Sequence, residues 1–211
     1  MYLSNAAKNL MLDQLDESIA TGADFGSLHT AYSTTGASEV AGGSPAYARK
    51  GLTWAAAASG SKALSATFPT WDVPAATTVA WFGGWDAVTA GNFLFMIPVG
   101  AGVLRPASAE TATDITNNDV FSKAHGYVAD TRVVFWGTLP TGLAVGTIYY
   151  VLATGLTADS FRLSTSSGGS AVDLTGTGPF NFFAQSCVPE TFSGQGTYSL
   201  TSGSVDLAAV A

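Results

Sequence analysis

The residues best suited to chemistry are two histidines and one cysteine, and none stands beside a partner in the sequence that would complete a catalytic group. His29 falls in a segment that favours a strand, and His125 lies in the turn-like sequence Ala-His-Gly. A serine hydrolase needs a nucleophile next to such a base, and the chain has no Gly-x-Ser-x-Gly nucleophile elbow. We therefore interpret both histidines as structural. Cys187 is the sole cysteine, which excludes an intrachain disulfide, and we expect it to act as a small buried apolar residue.

The carboxylates are scattered and do not form a recognisable site. A glycosidase needs two carboxylates that face each other. Asp72 and Asp86 flank a tryptophan-rich segment and form the one candidate pair, but positions in turns and loops explain both more simply. The chain lacks the calcium loop D-x-[DN]-x-[DN]-G, and neither of its two long-loop Gly-Gly pairs precedes the Lys-Ser/Thr of a phosphate-binding loop. The sequence thus predicts no catalytic, metal-binding or cofactor-binding residues, no cofactor, and a protein that is not an enzyme.

The charge of the chain argues against nucleic acid as a direct partner. Only 11% of the 211 residues are charged, and 15 acidic residues against 8 basic ones give a net charge of −7. Binding to phosphates needs clustered basic side chains, and Arg49-Lys50 is the only adjacent basic pair. The first residues lack the features of a signal peptide, and no apolar run approaches the roughly 18 residues of a membrane span. We therefore expect a protein made in a cytoplasm, with no membrane partner.

One amphipathic helix is predicted over residues 4–19, with Ser4 as its N-cap. Apolar residues recur at three-to-four spacing along it and form one stripe. This stripe packs either on the protein's own sheet or on a neighbouring subunit. The second alternative makes it a candidate assembly face, which consists of Leu3, Ala7, Leu10, Met11 and Leu15.

After this helix the pattern changes to alternation and short apolar runs, which are typical of β-strands. Strands are predicted at residues 27–31, 46–53, 54–58, 62–67, 68–73, 77–82, 92–97, 119–123, 131–136, 147–152, 160–163 and 171–174. Residues 189–200 and 204–207 read as a terminal hairpin with its turn at 201–203. The dense tryptophans of the first half form either a sandwich core or a platform on which a carbohydrate stacks, for which the candidates are Trp71, Trp81 and Trp85.

The order of these elements predicts a mainly β protein in two domains. A glycine-rich stretch at residues 100–106 precedes a new series of short strands, which ends near residue 185. We expect residues 1–105 and 186–211 to form an antiparallel β-sandwich with a short N-terminal amphipathic helix. Residues 106–185 would be an inserted small β-barrel or sandwich module, because whole domains are tolerated at surface turns.

Three stretches resemble a known family. The opening Met1-Tyr-Leu-Ser-Asn-Ala-Ala-Lys-Asn with residues 27–31, the segment Gly42-Gly-Ser-Pro-Ala-Tyr-Ala-Arg-Lys50, and the ending Pro189-Glu-Thr-Phe-Ser-Gly-Gln-Gly-Thr-Tyr198 are similar to minor tail or tail-fibre-like proteins of tailed phages, especially those of actinobacteria. Residues 124–174 resemble a small β module found in phage virion proteins. The resemblance implies no catalytic activity.

The leading hypothesis is a non-enzymatic structural component of a tailed-phage virion, of the minor tail or tail-fibre kind. It would be assembled in the host cytoplasm and act through repeated contacts with other virion proteins, as a homo-oligomer with a trimer favoured. One alternative is a capsid decoration protein that braces capsomers on the outer head surface. An alternative of another class is a carbohydrate-binding module that contacts a host-surface glycan.

Overall fold

A computed structural model describes residues 4–14, 22–65, 67–109, 118–176 and 180–207. The fold is mainly β with antiparallel sheets and, in the described ranges, one short helix, as the sequence predicts. The chain divides into two compact units. The first unit consists of Met1–Ile97 and Glu190–Ala211, and the second unit consists of Pro98–Pro189.

The helix α1 spans Asn5–Asp13 and begins as predicted at Ser4. Ser4 has extended backbone angles, and its hydroxyl accepts the backbone N–H of Ala7 at 3.2 Å, so one of the free donors of the first turn is satisfied. The C-cap is Gln14. Residues 15–19 of the predicted helix lie outside the described residues.

Ten strands belong to the first unit: β1 (Phe25–His29), β2 (Lys50–Gly51), β3 (Ser61–Ala63), β4 (Thr70–Val73), β5 (Thr77–Val79), β6 (Trp81–Trp85), β7 (Phe93–Pro98), β15 (Glu190–Phe192), β16 (Gly196–Ser199) and β17 (Ser204–Asp206). Four of them form a sheet in the order β2-β1-β6-β7. Its centre is the pair β1 and β6, which runs from Phe25 opposite Trp85 to His29 opposite Trp81. All five residues of β6 are buried, so this pair lies in the core of the unit.

The three C-terminal strands do not form the predicted hairpin. They run back along earlier strands as a ribbon, in which β15 pairs with β5, β16 with β4 and β17 with β3. Glu190 opposes Val79 and Gly196 opposes Val73, so the first two ladders share one register. A hairpin would have paired β16 with β17, both of which are short and polar. In the ribbon β16 pairs instead with β4, whose Trp71 and Val73 are buried.

Three further segments differ from the predicted strands. Of residues 46–58 only the two residues of β2 are a strand, and Trp54 makes one isolated bridge to Leu64. The predicted strand 77–82 is divided at Ala80 into β5 and β6, which pair with different partners, β15 and β1. The predicted strand at 171–174 is not formed.

The second unit contains seven strands: β8 (Arg105–Ala109), β9 (Val120–Phe121), β10 (Arg132–Gly137), β11 (Tyr149–Val151), β12 (Ser160–Phe161), β13 (Leu163–Ser164) and β14 (Phe182–Cys187). They form one antiparallel sheet in the order β12-β9-β8-β14-β10-β11-β13. The two outermost strands, β12 and β13, are separated in sequence only by Arg162, so the sheet curls back on itself as a nearly closed barrel.

The interior of this barrel holds a cluster of buried hydrophobic side chains. Alternation along the strands sends every second side chain inward. The buried cluster consists of Ala109, Val120, Val133, Phe135, Leu143, Tyr149, Val151, Phe161, Leu163, Leu174, Phe182 and Ala184.

Candidate functional site

In the described part of the chain, no three His, Cys, Asp or Glu residues come together in a way that could hold a metal ion. Within the same ranges no helix is both long and apolar enough to cross a membrane.

Ser27 and His29 form the arrangement closest to a catalytic pair. They lie on the same side of β1, and the Ser27 hydroxyl lies 2.7 Å from Nε2 of His29. The Nδ1 atom of His29 lies 3.0 Å from the carbonyl oxygen of Ala37, which can only accept, so Nδ1 carries the proton and Nε2 accepts from Ser27. The hydroxyl oxygen also accepts the indole N–H of Trp85 at 2.8 Å.

This pair is closed to any substrate. Ser27 and His29 are both 0% exposed. A Cβ atom added at Gly83 would lie 2.7 Å from Nε2 of His29 and 2.8 Å from the Ser27 hydroxyl, so the neighbouring strand packs directly on the pair. Burial lowers the pKa of His29, because the charged imidazolium loses its hydration. The structure thus makes His29 a neutral core residue, in agreement with its structural interpretation.

His125 is buried in the second unit. Its Nδ1 atom accepts the backbone N–H of Tyr127 at 2.9 Å, and its ring packs edge-on against Phe161 with centroids 5.0 Å apart. Cys187 is buried as predicted, and desolvation raises the pKa of its thiol to about 11. A thiol with this pKa is protonated at neutral pH and is a weak nucleophile.

Asp72 and Asp86 lie in different elements with different local partners. Asp72 lies within β4, opposite Thr197 of the ribbon. Asp86 follows β6 and closes a loop, since its carboxylate accepts the backbone N–H of Asn92 at 2.6 Å and the side-chain amide at 2.7 Å. These hydrogen bonds lower the pKa of Asp86 by stabilising its charged form.

The three candidate stacking tryptophans belong to the core. Trp71 is 0%, Trp81 1% and Trp85 8% exposed. The indole of Trp71 donates to the carbonyl oxygen of Gly26 at 3.2 Å, deep in the first unit. The structure therefore places no face of these rings where a glycan could stack, and the alternative of a tryptophan core is the one observed. Strand alternation alone could not distinguish a tryptophan core from an exposed stacking platform, because all five residues of β6 are buried.

One half-buried arginine was not recognised from the sequence. The Arg49 guanidinium lies 3.4 Å from the ring centroid of Trp85 and forms an ion pair with Glu39 at 2.8 Å. It also donates to the carbonyl oxygens of Ala87 and Ala90. Arg49 thus ties two loops to the core through one planar group. No local pattern predicts it, since its acceptors are far away in the sequence.

The helix α1 packs with its polar side inward. The carboxylate of Asp13 accepts from Lys62 at 2.9 Å and from the Ala57 backbone N–H at 2.9 Å. Asn9 accepts the backbone N–H of Gly60 at 2.8 Å, and Leu12 is buried.

The predicted apolar stripe faces away from these contacts. Leu10 is 69% exposed and Met11 is 55% exposed, while Ala7 is half-buried. Leu3 and Leu15 lie outside the described residues. Of the two alternatives for the stripe, packing on the protein's own sheet does not describe Leu10 and Met11.

A model of the family described as Podophage GP4 fiber I protein gp80 matches residues 2–129 of the chain. No curated protein and no solved structure matches the chain. The matched region covers the helix, all of β1 to β7 and the first two strands of the second unit.

Proposed function

Because the chain belongs to the podophage GP4 fiber I protein gp80 family, we propose that it is a structural component of a tailed-phage virion, of the tail-fibre kind, and acts through repeated protein–protein contacts. Its partners are other virion proteins and further copies of itself, with a trimer favoured. It is a non-enzymatic part of the particle.

The observation that carries this proposal is the orientation of α1. An amphipathic helix on a soluble protein normally turns its apolar side to the core. Here the core side is held by Asp13, Asn9 and Leu12, and the apolar residues Leu10 and Met11 are left on the surface. A second protein surface that covered them would remove their apolar area from water, at roughly 25 cal/mol per Å².

The charge pattern supports the same role. An assembly protein needs surfaces that lose little hydration when they are covered, and only 11% of this chain is charged. The net charge of −7 suits a position on the outside of a particle, away from packaged nucleic acid.

Light scattering on the purified protein tests the proposed contact. We expect a mass above that of the monomer, and a shift towards the monomer in the double variant Leu10→Glu and Met11→Glu, because two carboxylates cannot be buried without partners. Val88→Glu is the matched control, since Val88 is 53% exposed and lies outside the helix. A monomeric wild-type protein, or a double variant that keeps the wild-type mass, would contradict a self-association face on α1.

A further inference from the structure

The C-terminal ribbon of β15, β16 and β17 has an edge that no strand of the described residues covers. In that part of the chain β16 pairs with β4 alone, and β17 pairs with β3 alone. A strand at the edge of a sheet presents a row of backbone N–H and C=O groups that can pair with a further strand. The edge of β16 that points away from β4 is therefore a template on which another extended chain can pair.

The register identifies which backbone groups of β16 point away from β4. It places Leu200 opposite Pro69, and the Leu200 N–H donates to the Pro69 carbonyl oxygen at 3.2 Å. Opposed residues of an antiparallel pair alternate between those that exchange backbone hydrogen bonds and those that do not. Leu200 and, two residues earlier, Tyr198 are of the first kind. Thr197 and Ser199 are of the second kind, so their N–H and C=O groups point outward.

This edge lacks the features by which proteins normally keep edge strands apart. The usual ones are charged side chains, above all lysine, and proline. Residues 191–205 contain no charged residue and no proline, although the chain as a whole has a net charge of −7. Thr197 and Ser199 are both exposed. Nothing in this segment would repel a second strand.

The distribution of charge favours a second copy of this chain as the occupant of the edge. Two copies of an acidic protein repel each other unless their contact is free of like charges. The charged residue of β4 is Asp72, which opposes Thr197. With β16 of two copies side by side, the two Asp72 residues would lie three strand spacings apart, about 14 Å. This separation exceeds the screening length of about 8 Å at physiological ionic strength, so their repulsion is small.

We propose that β16 pairs with β16 of a second copy, antiparallel and about a twofold axis at Tyr198. Thr197 of each copy then lies opposite Ser199 of the other, and the two pairs exchange their outward backbone hydrogen bonds. The two ribbons become one sheet of four strands, with β4 on either side of the paired β16 strands. The contact is isologous, and combined with a threefold contact at another face it gives a closed assembly of dihedral symmetry. This proposal rests on the proposed self-association of the chain and uses no residue of α1.

Residue-resolved hydrogen exchange by NMR tests the contact on the full chain. It is measured at protein concentrations below and above the onset of self-association, which light scattering defines. We expect the backbone amides of Thr197 and Ser199 to exchange slower by about tenfold or more in the associated protein, because each gains a carbonyl partner. The amide of Leu200 is bonded within one chain and serves as the internal control, with equal protection at both concentrations.

Two variants of β16 should lower the associated mass and remove the protection. Thr197→Pro deletes one outward N–H and leaves the ladder to β4 in place. The double variant Thr197→Lys and Ser199→Lys sets like charges opposite each other, and it keeps the test valid if the proline variant does not fold. Thr70→Lys with Thr78→Lys is the charge-matched control, since both residues are exposed on β4 and β5, and it should keep the wild-type mass. Thermal melting establishes that each variant is folded.

The outcomes separate this contact from the one on α1. An associated protein in which Thr197 and Ser199 exchange as fast as in the monomer would overturn the proposal and leave assembly through α1 intact. Protection of both amides in a protein that stays monomeric would also overturn it, because another segment of the same chain would then cover the edge. Folded β16 variants that keep the wild-type mass would overturn it as well. The Leu10→Glu and Met11→Glu variant should retain the protection at β16, so the two contacts are tested independently.

Discussion

The hydroxyl of Ser27 has the spacing from His29 that a nucleophile needs from its base, yet the two residues serve the core. Each polar atom of the pair is satisfied internally, with Trp85 and Ala37 as the outer partners. A buried network of this kind fixes the position of its strands because any displacement would leave a polar group without a partner. The difference between this pair and a catalytic one is access, which the residue types alone do not reveal.

The burial of His29 makes stability depend on pH. Its pKa is lowered in the folded protein, while an unfolded histidine titrates near 6.5. Below about pH 6.5 the unfolded chain therefore binds a proton that the folded core excludes. The free energy of unfolding should then fall as the pH decreases, by at most about 1.4 kcal/mol per pH unit down to the folded-state pKa. Above pH 6.5 His29 is neutral in both the folded and the unfolded protein, so the free energy of unfolding no longer changes with pH through this residue.

Urea unfolding between pH 7.5 and pH 5 measures this effect through tryptophan fluorescence, because every tryptophan except Trp136 lies in the first unit. The His29→Gln variant should lose the dependence in this window. His125→Gln is the matched control, since this residue lies in the other unit, and it should retain the fall. Equal slopes in wild type and His29→Gln would contradict the argument.

At the scale of elements, local patterns identified most strands but not their partners. The N-cap at Ser4 and the strands β1, β7 and β10 follow from short-range signals and are observed close to their predicted places. The ribbon is different, since Glu190 pairs with Val79 across more than a hundred residues of intervening chain. Nothing in the terminal segment itself distinguishes that partner from a neighbouring strand.

The sequence also could not predict which face of α1 packs on the protein. Its periodicity shows two faces but not which one meets the protein. The choice depends on Lys62, whose buried side chain is 2% exposed and pairs with Asp13 of the helix. A helix docked through this ion pair and two backbone contacts leaves Leu10 and Met11 on its exposed face.

We expect Asp13→Ala to loosen α1 from the first unit, because the Lys62 ammonium and the Ala57 N–H would lose a shared acceptor. Hydrogen exchange of the α1 backbone amides should become several-fold faster, while amides of β1 and β6 should keep their protection. Asn5→Ala, an exposed position on the same helix, is the control and should not change exchange. Unchanged protection in Asp13→Ala would mean that the buried Leu12 holds the helix without the ion pair.

The first unit is built from two segments of the chain, and its C-terminal strands follow the second unit in the sequence. Residues 98–189 therefore stand between two segments that pair with each other. The low charge and absence of a catalytic motif pointed to a structural role from the sequence, and the family match identifies fibre proteins as its relatives.

The proposed fibre role predicts that the protein lies on the tail of the particle and not on its head. A fibre protein occupies positions set by the symmetry of the tail, so its copy number is low, whereas a decoration protein repeats over the capsomers and reaches a far higher number. We expect antibodies raised against the purified protein to label the tail region of intact virions in electron microscopy, and quantitative mass spectrometry to give a low copy number relative to the major head protein. Antibodies against the major head protein provide the control for label on the head. Label confined to the head with a high copy number would contradict the fibre placement and favour capsid decoration, because α1 would then cover its apolar residues against capsomers.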